Sequence, residues 1–472
     1  MKRKKTLLIL CAVLVVAILA IVVEKAVKQH IDTVNTIDEE VFAVSEEDLD
    51  KVTVSYDGGE VTLEKIDDTW TYTDDTDFPV DQDYMTDMLS YFESVHASFI
   101  IDDVEDYSQY GLSSPEATIT FTADDTDSVI TFGTFSTIDE KRYICIDGGS
   151  VYLIDEDILE YMSADIDDYL DRDEVYDYSQ LTAMTVTGDG DVNVIYDPDG
   201  DYTYTDDYDY YYVDGNEYKP LSENLVLTYL SNLQAMDLTE YETYSATADD
   251  LEKYGLDNPT LTVTITGEVP TGDSEEDEDS DEAVESKTQT VYFAHEEDAD
   301  IAYLYFEGST IVYAITSDAY DELADASYET LRPTEVVSID WTNVSQMSAT
   351  IDGDTYIVAV EYNEKDGNTY TVDDETLDFV TATTKIDGLV LTEAGDDYTK
   401  GTEELAFAIT LNDEDATTIN VVLYQYDGDS CVVAVDGQVQ GLCSRSSMSS
   451  LREEMTSAIL NKGKETEEDT EE

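Results

Sequence analysis

Two stretches of this chain are near copies of each other: YGLSSPEATITFT, beginning at Tyr110, and YGLDNPTLTVTIT, beginning at Tyr254. Recurrence of this kind predicts a folding unit used more than once, because repeats string together copies of one supersecondary pattern. In each copy two apolar side chains, Tyr110 and Leu112 or Tyr254 and Leu256, flank a glycine (Gly111 or Gly255) that is free to take positive φ. Pro115 and Pro259 stand where a new strand begins and no ladder donor is needed. The phrase is read as a structural turn, since a catalytic constellation has no reason to appear in both halves of a chain.

The surrounding sequence extends the correspondence to three copies. Strand-like TWTYTDD at Thr69 has counterparts in DYTYTDD at Asp201 and GNTYTVDD at Gly367. A helix start follows each. Asp81 caps the first, with Tyr84, Met85, Met88, Leu89 and Phe92 at helical spacing; Ser222 caps the second, with Leu225, Val226, Tyr229, Leu230 and Leu233. In the third, VDDETLDFV puts Asp373 at the cap and Leu377 and Val380 on the apolar face. Each copy then closes on an acidic-Gly hairpin signal, at Asp147-Gly148, Glu307-Gly308 and Asp436-Gly437. The expected fold is α+β, three related units of antiparallel strands with covering helices, over residues 49–178, 179–333 and 334–462. The second unit carries an acidic, low-complexity insertion near residues 268–287.

Before the units, a basic end, MKRKK over residues 1–5, precedes an uncharged run over residues 6–23. Eighteen residues at about 1.5 Å each span roughly 27 Å, close to bilayer thickness, so the run predicts an uncleaved transmembrane anchor. Lys2, Arg3, Lys4 and Lys5 place its start in the cytoplasm and the bulk outside. Residues 24–48 are read as a polar stalk and residues 463–472 as an acidic tail. The chain carries 112 acidic against 22 basic residues, a formal net charge of −90. Nucleic acid is thereby excluded as a partner, and anionic surfaces are repelled over a Debye length of about 8–10 Å.

The anchor, the TWTY strand, the FPVD helix start and YGLxxP together resemble bacterial cell-envelope proteins bearing the uncharacterised domain of unknown function 4340. The likeness is best over residues 49–330. It implies an envelope location beside ABC-type export systems, with a permease or ATPase as partner, and brings no catalytic residue with it.

The chemistry-bearing residues are sparse. His30, His96 and His295 fall in different elements with no HExxH spacing, and no GxSxG elbow presents a serine. DPDGDYTYTDDY from Asp197 begins like a calcium loop but has Tyr202 at its sixth position and Tyr208 at its twelfth. Asp189, Asp191, Asp197, Asp199 and Asp201 remain candidates for weak divalent-cation binding. The tyrosine-rich run from Tyr202 is read as a hairpin with its rings packed inward, the alternative being an aromatic platform for sugars. No cofactor motif is present. Cys431 and Cys443 flank Asp436 to Gln438 and would oppose each other across a three-residue turn centred on Gly437, as a cross-strand disulfide requires. The expected function is a membrane-anchored, extracytoplasmic, non-catalytic binding or assembly protein. The alternative is a cell-wall glycan-binding protein or a carboxylate-dependent glycoside hydrolase.

Overall fold

A computed structural model describes residues 38–271, 283–351, 353–365 and 367–461. The expected anchor, the basic end, His30, the centre of the acidic insertion and the acidic tail lie outside them. Among the described residues no helix is long and apolar enough to cross a membrane. The chain divides into two compact units, one ending at Arg172 and the other beginning at Asp173.

The first unit holds one nine-stranded antiparallel sheet. Its strands are β1 (Glu39–Phe42), β2 (Lys51–Tyr56), β3 (Gly59–Ile66), β4 (Thr69–Tyr72), β5 (Val95–Ile101), β6 (Ala117–Ala123), β7 (Thr126–Ser136), β8 (Lys141–Ile146) and β9 (Val151–Ile154). They lie in the order β1-β5-β9-β8-β7-β6-β2-β3-β4. The second unit holds two more such sheets. One is built from β10 (Gln180–Gly188), β11 (Val192–Tyr196), β12 (Tyr210–Asp214), β13 (Glu217–Pro220), β14 (Tyr241–Thr243), β15 (Leu261–Pro270), β16 (Val284–His295), β17 (Ile301–Phe306) and β18 (Val312–Thr316). The other is built from β19 (Val344–Ile351), β20 (Asp354–Asn363), β21 (Gly367–Val372), β22 (Glu375–Leu377), β23 (Leu391–Ala394), β24 (Glu403–Leu411), β25 (Thr418–Gln425), β26 (Ser430–Val435) and β27 (Gln438–Ser444).

The last two sheets share one order, β13-β12-β11-β10-β15-β16-β17-β18-β14 and β22-β21-β20-β19-β24-β25-β26-β27-β23. Four strands meander out to one edge, a helix carries the chain to the far edge for the fifth, and four more meander back. The two meanders meet in a central ladder, Val186 opposite Val263 in one sheet and Ala349 opposite Phe407 in the other. The first sheet repeats this plan with Val54 opposite Ile119, but has three strands in its first meander and adds β1 outside β5.

Alternation drives each ladder. In β6, Ala117, Ile119 and Phe121 are buried while the threonines between them face outward, and β15 and β24 read the same way. Each large apolar side chain so buried contributes about 1.5–3 kcal/mol relative to exposure. The outer threonines pair across strands, Thr53 with Thr62 at 3.1 Å, Thr264 with Thr290 at 3.2 Å and Thr410 with Thr418 at 3.1 Å. Helices supply the remaining cover. Met85, Met88 and Leu89 are buried on Gln82–Ser90, whose Tyr84 N–H donates to the Asp81 carboxylate at 2.9 Å. Ala382 and Ile386 on Val380–Asp387 join Met448, Leu451 and Met455 on Arg445–Leu460 in the core of the last sheet.

The fold is therefore mostly β, with fewer helices than an α+β reading expects. Asp373 does not cap a helix: Asp373 and Asp374 both take positive φ in a tight turn, Leu377 ends β22, and the helix begins only at Val380. Residues 201–207 are not a strand; the third strand of that sheet is β12. Thr203 Oγ1 donates to the Thr205 carbonyl at 2.6 Å and accepts from the Thr205 N–H at 3.4 Å, local bonds that compete with a ladder. Residues 39–42, assigned to the stalk by composition, form β1 instead. The flanks of the acidic insertion, residues 268–270 and 284–287, are the ends of β15 and β16.

With a formal charge of −90, compaction brings like charges together, so screening stabilises the folded state. Raising sodium chloride from 10 to 150 mM is expected to raise the melting temperature by about 3 °C or more. A flat or falling melting temperature would refute this, and a saturable step at micromolar calcium would point to a specific cation site instead.

Candidate functional site

The YGL phrase lies where helical turns end. Gly255, after Ala248–Lys253, has φ 75°, and the Leu256 N–H donates back to the Leu251 carbonyl at 2.8 Å, closing the helix C-terminus. Gly111, at φ 78°, does the same after a short 3-10 turn, with the Leu112 N–H on the Tyr107 carbonyl at 3.1 Å. Tyr254 and Leu256 then form a small cluster with Ala294 and Val312, and Leu112 forms one with Cys145 and Val151, flanked by Tyr110. Pro115 and Pro259 precede β6 and β15.

Cys431 and Cys443 are directly opposed on β26 and β27 by a route the sequence conceals. The turn has two residues, Asp436 and Gly437, both at positive φ, and would by itself offset the cysteines by one. A bulge at Gln440, opposite the Val433–Ala434 step, restores the register. Both sulfurs are thiols in the structure and fully buried. Burial, followed by the Glu404 carboxylate 3.5 Å away, pushes the Cys431 thiol up to about 11, and burial pushes Cys443 up to about 12. Opposed strand residues lie about 4.5–5.5 Å apart at Cα, inside the disulfide range. Protein folded in an oxidising compartment is expected to carry the Cys431–Cys443 bond, and alkylation of denatured, unreduced protein should leave both cysteines unlabelled. Labelling of both would sink the pairing.

Ser94, His96 and Asp38 are hydrogen-bonded in series, Ser94 Oγ 3.0 Å from His96 Nε2 and Asp38 Oδ1 2.6 Å from Nδ1. The Asp38 side chain is 84% exposed, and Ser94 Oγ donates to Glu40 Oε2 at 2.8 Å, so a second carboxylate competes with the imidazole for the proton. The set ties the edge strand β1 to β5. His295 donates to the Ala299 carbonyl at 3.0 Å. Two of the five candidate cation ligands accept from tyrosines, Asp189 from Tyr320 and Asp197 from Tyr202, at 2.6 and 2.7 Å. Among the described residues no three His, Cys, Asp or Glu side chains converge as metal ligands would.

The tyrosine-rich segment between β11 and β12 borders two concavities. Tyr202 stacks on Tyr218 at 4.0 Å and meets Tyr211 edge-on. Its hydroxyl is pushed up to about 12, first by its bond to Asp197 and then by burial. Tyr204 leaves β-sheet company altogether and lies against the core of the last sheet, its hydroxyl 3.4 Å from the Ser338 N–H. Asp207 accepts from Ser338 Oγ, fastening the segment to the chain before β19.

Two clefts flank this bridge and share Thr203 and Tyr204. The first, about 540 Å³, is acidic, with Asp206, Asp207, Asp340, Asp413, Glu414 and Asp415 on its walls. The second, about 320 Å³, is aromatic and mixed in charge, lined by Tyr204, Tyr208 and Tyr328 with Lys219 and Arg332 beside Glu329, Glu335 and Asp396. Burial raises the Tyr204, Tyr208 and Tyr328 hydroxyls, and Arg332 partly offsets this at Tyr328. All three therefore stay protonated donors at neutral pH. The sequence signal for this crevice is a pair of basic-proline dipeptides, Lys219-Pro220 and Arg332-Pro333, in a chain with only 22 basic residues and 7 prolines.

A family model described as Domain of unknown function (DUF4340) matches this chain twice, over residues 70–239 and 212–403. The chain belongs to the DUF4340 family. Each DUF4340 match opens on the third strand of a meander, at Trp70 in β4 and Tyr212 in β12, and runs on into the following sheet. No curated protein and no solved structure matches the chain. The DUF4340 description assigns no activity, so the chemistry of the crevices has to speak for itself.

Proposed function

We propose that this DUF4340 protein is a membrane-anchored, extracytoplasmic binding or assembly protein, non-catalytic, and an accessory subunit of an ABC-type export system. The observation that carries the reading is the order of the chain: four basic residues, an uncharged run of bilayer length over residues 6–23, and then all 112 acidic residues with the three sheets. Tethering raises the effective concentration of the sheets toward other membrane proteins, so modest contacts suffice. Repulsion from anionic lipid favours protein loops as the contacting surface.

In vivo crosslinking of the full chain followed by mass spectrometry tests this. Recovery of a permease or ATPase subunit above background is expected, and its loss on deleting residues 1–23 with export retained. A second reading, glycan binding, is favoured by the tyrosine-lined crevice. Recovery of wall fragments without transporter subunits would select it.

A further inference from the structure

An unpaired strand edge is a template for another chain, and folded proteins blunt it with charge, proline or a cover. This chain does so at several edges. On β4 the Gln82 side chain stands in for a missing strand: the Trp70 N–H donates to Gln82 Oε1 at 2.8 Å, and Gln82 Nε2 donates to the Trp70 carbonyl at 3.0 Å. β13 ends in Pro220. The start of β23 is bridged by the chain entering its sheet, Glu335 opposite Val390, with the Leu391 N–H on the Thr334 carbonyl at 2.6 Å and the Val336 N–H on the Leu389 carbonyl at 2.9 Å. β5 is covered only in part. It runs from Val95 to Ile101, but β1 reaches no farther along it than Ala97, opposite Glu39. Among the described residues Phe99, Ile100 and Ile101 pair with β9 alone, and this open edge has neither charge nor proline. Phe99 is 53% exposed.

We infer that residues 34–37, Val-Asn-Thr-Ile, continue β1 and cover this edge. β1 runs antiparallel to β5, so the residues before Glu39 head along it toward Ile101. Carrying the Glu39–Ala97 register forward puts Ile37 opposite Phe99 and Asn35 opposite Ile101. The segment suits a strand, being uncharged, with Val34, Thr36 and Ile37 β-branched. Asp32 and Asp38 on either side of it bring charge to the new outer edge. A second copy or a strand of another protein would have to displace a segment already delivered to the spot on a short tether. The consequence for function rests on the reading of residues 6–23 as an anchor. Pairing shortens the free chain between that run and the sheet from residues 24–38 to residues 24–33, and its full extension from about 50–54 Å to about 33–36 Å. The first sheet is thereby held closer to any partner in the membrane.

Cysteine pairs in the detergent-solubilised full chain, in a Cys11→Ser background, test the register. Ile37→Cys with Phe99→Cys should form an intramolecular disulfide under mild oxidation, since opposed strand residues lie about 4.5–5.5 Å apart at Cα, inside the disulfide range. Ile37→Cys with Ile101→Cys, displaced by two residues, should form one at least about tenfold more slowly. Replacing residues 34–37 by Gly-Ser-Gly-Ser should speed hydrogen exchange of the amides among Phe99–Ile101 that face away from β9 at least about tenfold, and leave exchange in the β26–β27 ladder unchanged. Equal rates for the two cysteine pairs, a disulfide that links two chains, or exchange that ignores the replacement would each overturn the inference. None of these outcomes depends on recovering transporter subunits by crosslinking. Failure of the anchor reading would remove the membrane distance and leave the strand pairing standing.

Discussion

Replacing Arg142 by methionine should destabilise the first sheet by about 3–5 kcal/mol, the cost of breaking a buried ion pair from one side. Arg142 lies on β8 with its side chain 8% exposed, and it grips Asp157 with two nitrogens, Nε and Nη2, the latter at 2.8 Å. Nη1 donates to Glu116 at 2.7 Å and to the Gly133 carbonyl at 2.7 Å. Glu116 is half in solvent and recovers its hydration when the arginine is lost. Asp157, 12% exposed, and the Gly133 carbonyl do not. The chain has two tryptophans, and Trp70 is buried in this sheet while Trp341 belongs to the last, so urea unfolding in a Trp341→Phe background reads the first sheet alone. Adding Asp157→Asn should return part of the loss by removing the stranded charge. A single-variant loss below about 1 kcal/mol would show the network to be decorative.

The repeated glycines should respond unequally to the same change. Gly111→Ala is expected to cost about 3 kcal/mol and Gly255→Ala about 1 kcal/mol, although both glycines stand in the same phrase with φ near 75–78°. The shared part is the left-handed backbone. The difference is space: a Cβ on Gly111 would lie 2.6 Å from Thr134 Cγ2 and 2.8 Å from the Thr134 backbone nitrogen, whereas on Gly255 it would meet only the Ala294 methyl at 3.4 Å. Backbone cannot rotate aside as a side chain can, so β7 itself must move. Equal melting shifts in the two variants would show that conformation, and not crowding by β7, sets the requirement.

Features carried by adjacent residues were legible in the sequence. The Asp81 cap, the YGL turns and the acidic-Gly hairpins each depend on two to four neighbouring side chains, and the structure places each as a turn or cap. Features set by distant partners were not. TYT predicts a strand in the stretches from Thr69 and Gly367, yet the same letters after Asp201 make a bridge because Tyr204 finds a better apolar home against another sheet. The opposition of Cys431 and Cys443 depends on a bulge at Gln440 that no local signal announces. The crevice draws Tyr204, Lys219, Tyr328 and Gln438 from four separate segments, so only the scarcity of lysine and arginine gave any hint of it.

The central ladders also bear on how this family should be cut. A DUF4340 match such as residues 70–239 retains β5–β9 but loses β2 and β3, and gains β10–β13 without β14–β18. Both ladders, β2 with β6 and β10 with β15, are severed at once. The stretch whose sequence recurs is thus a circular permutation of the stretch that closes a sheet, its beginning displaced by two strands. A fragment expressed at the limits of sequence similarity would consist of two half-sheets with their central hydrophobic seams open to water, and it should aggregate. One that starts a meander earlier would not leave those seams exposed.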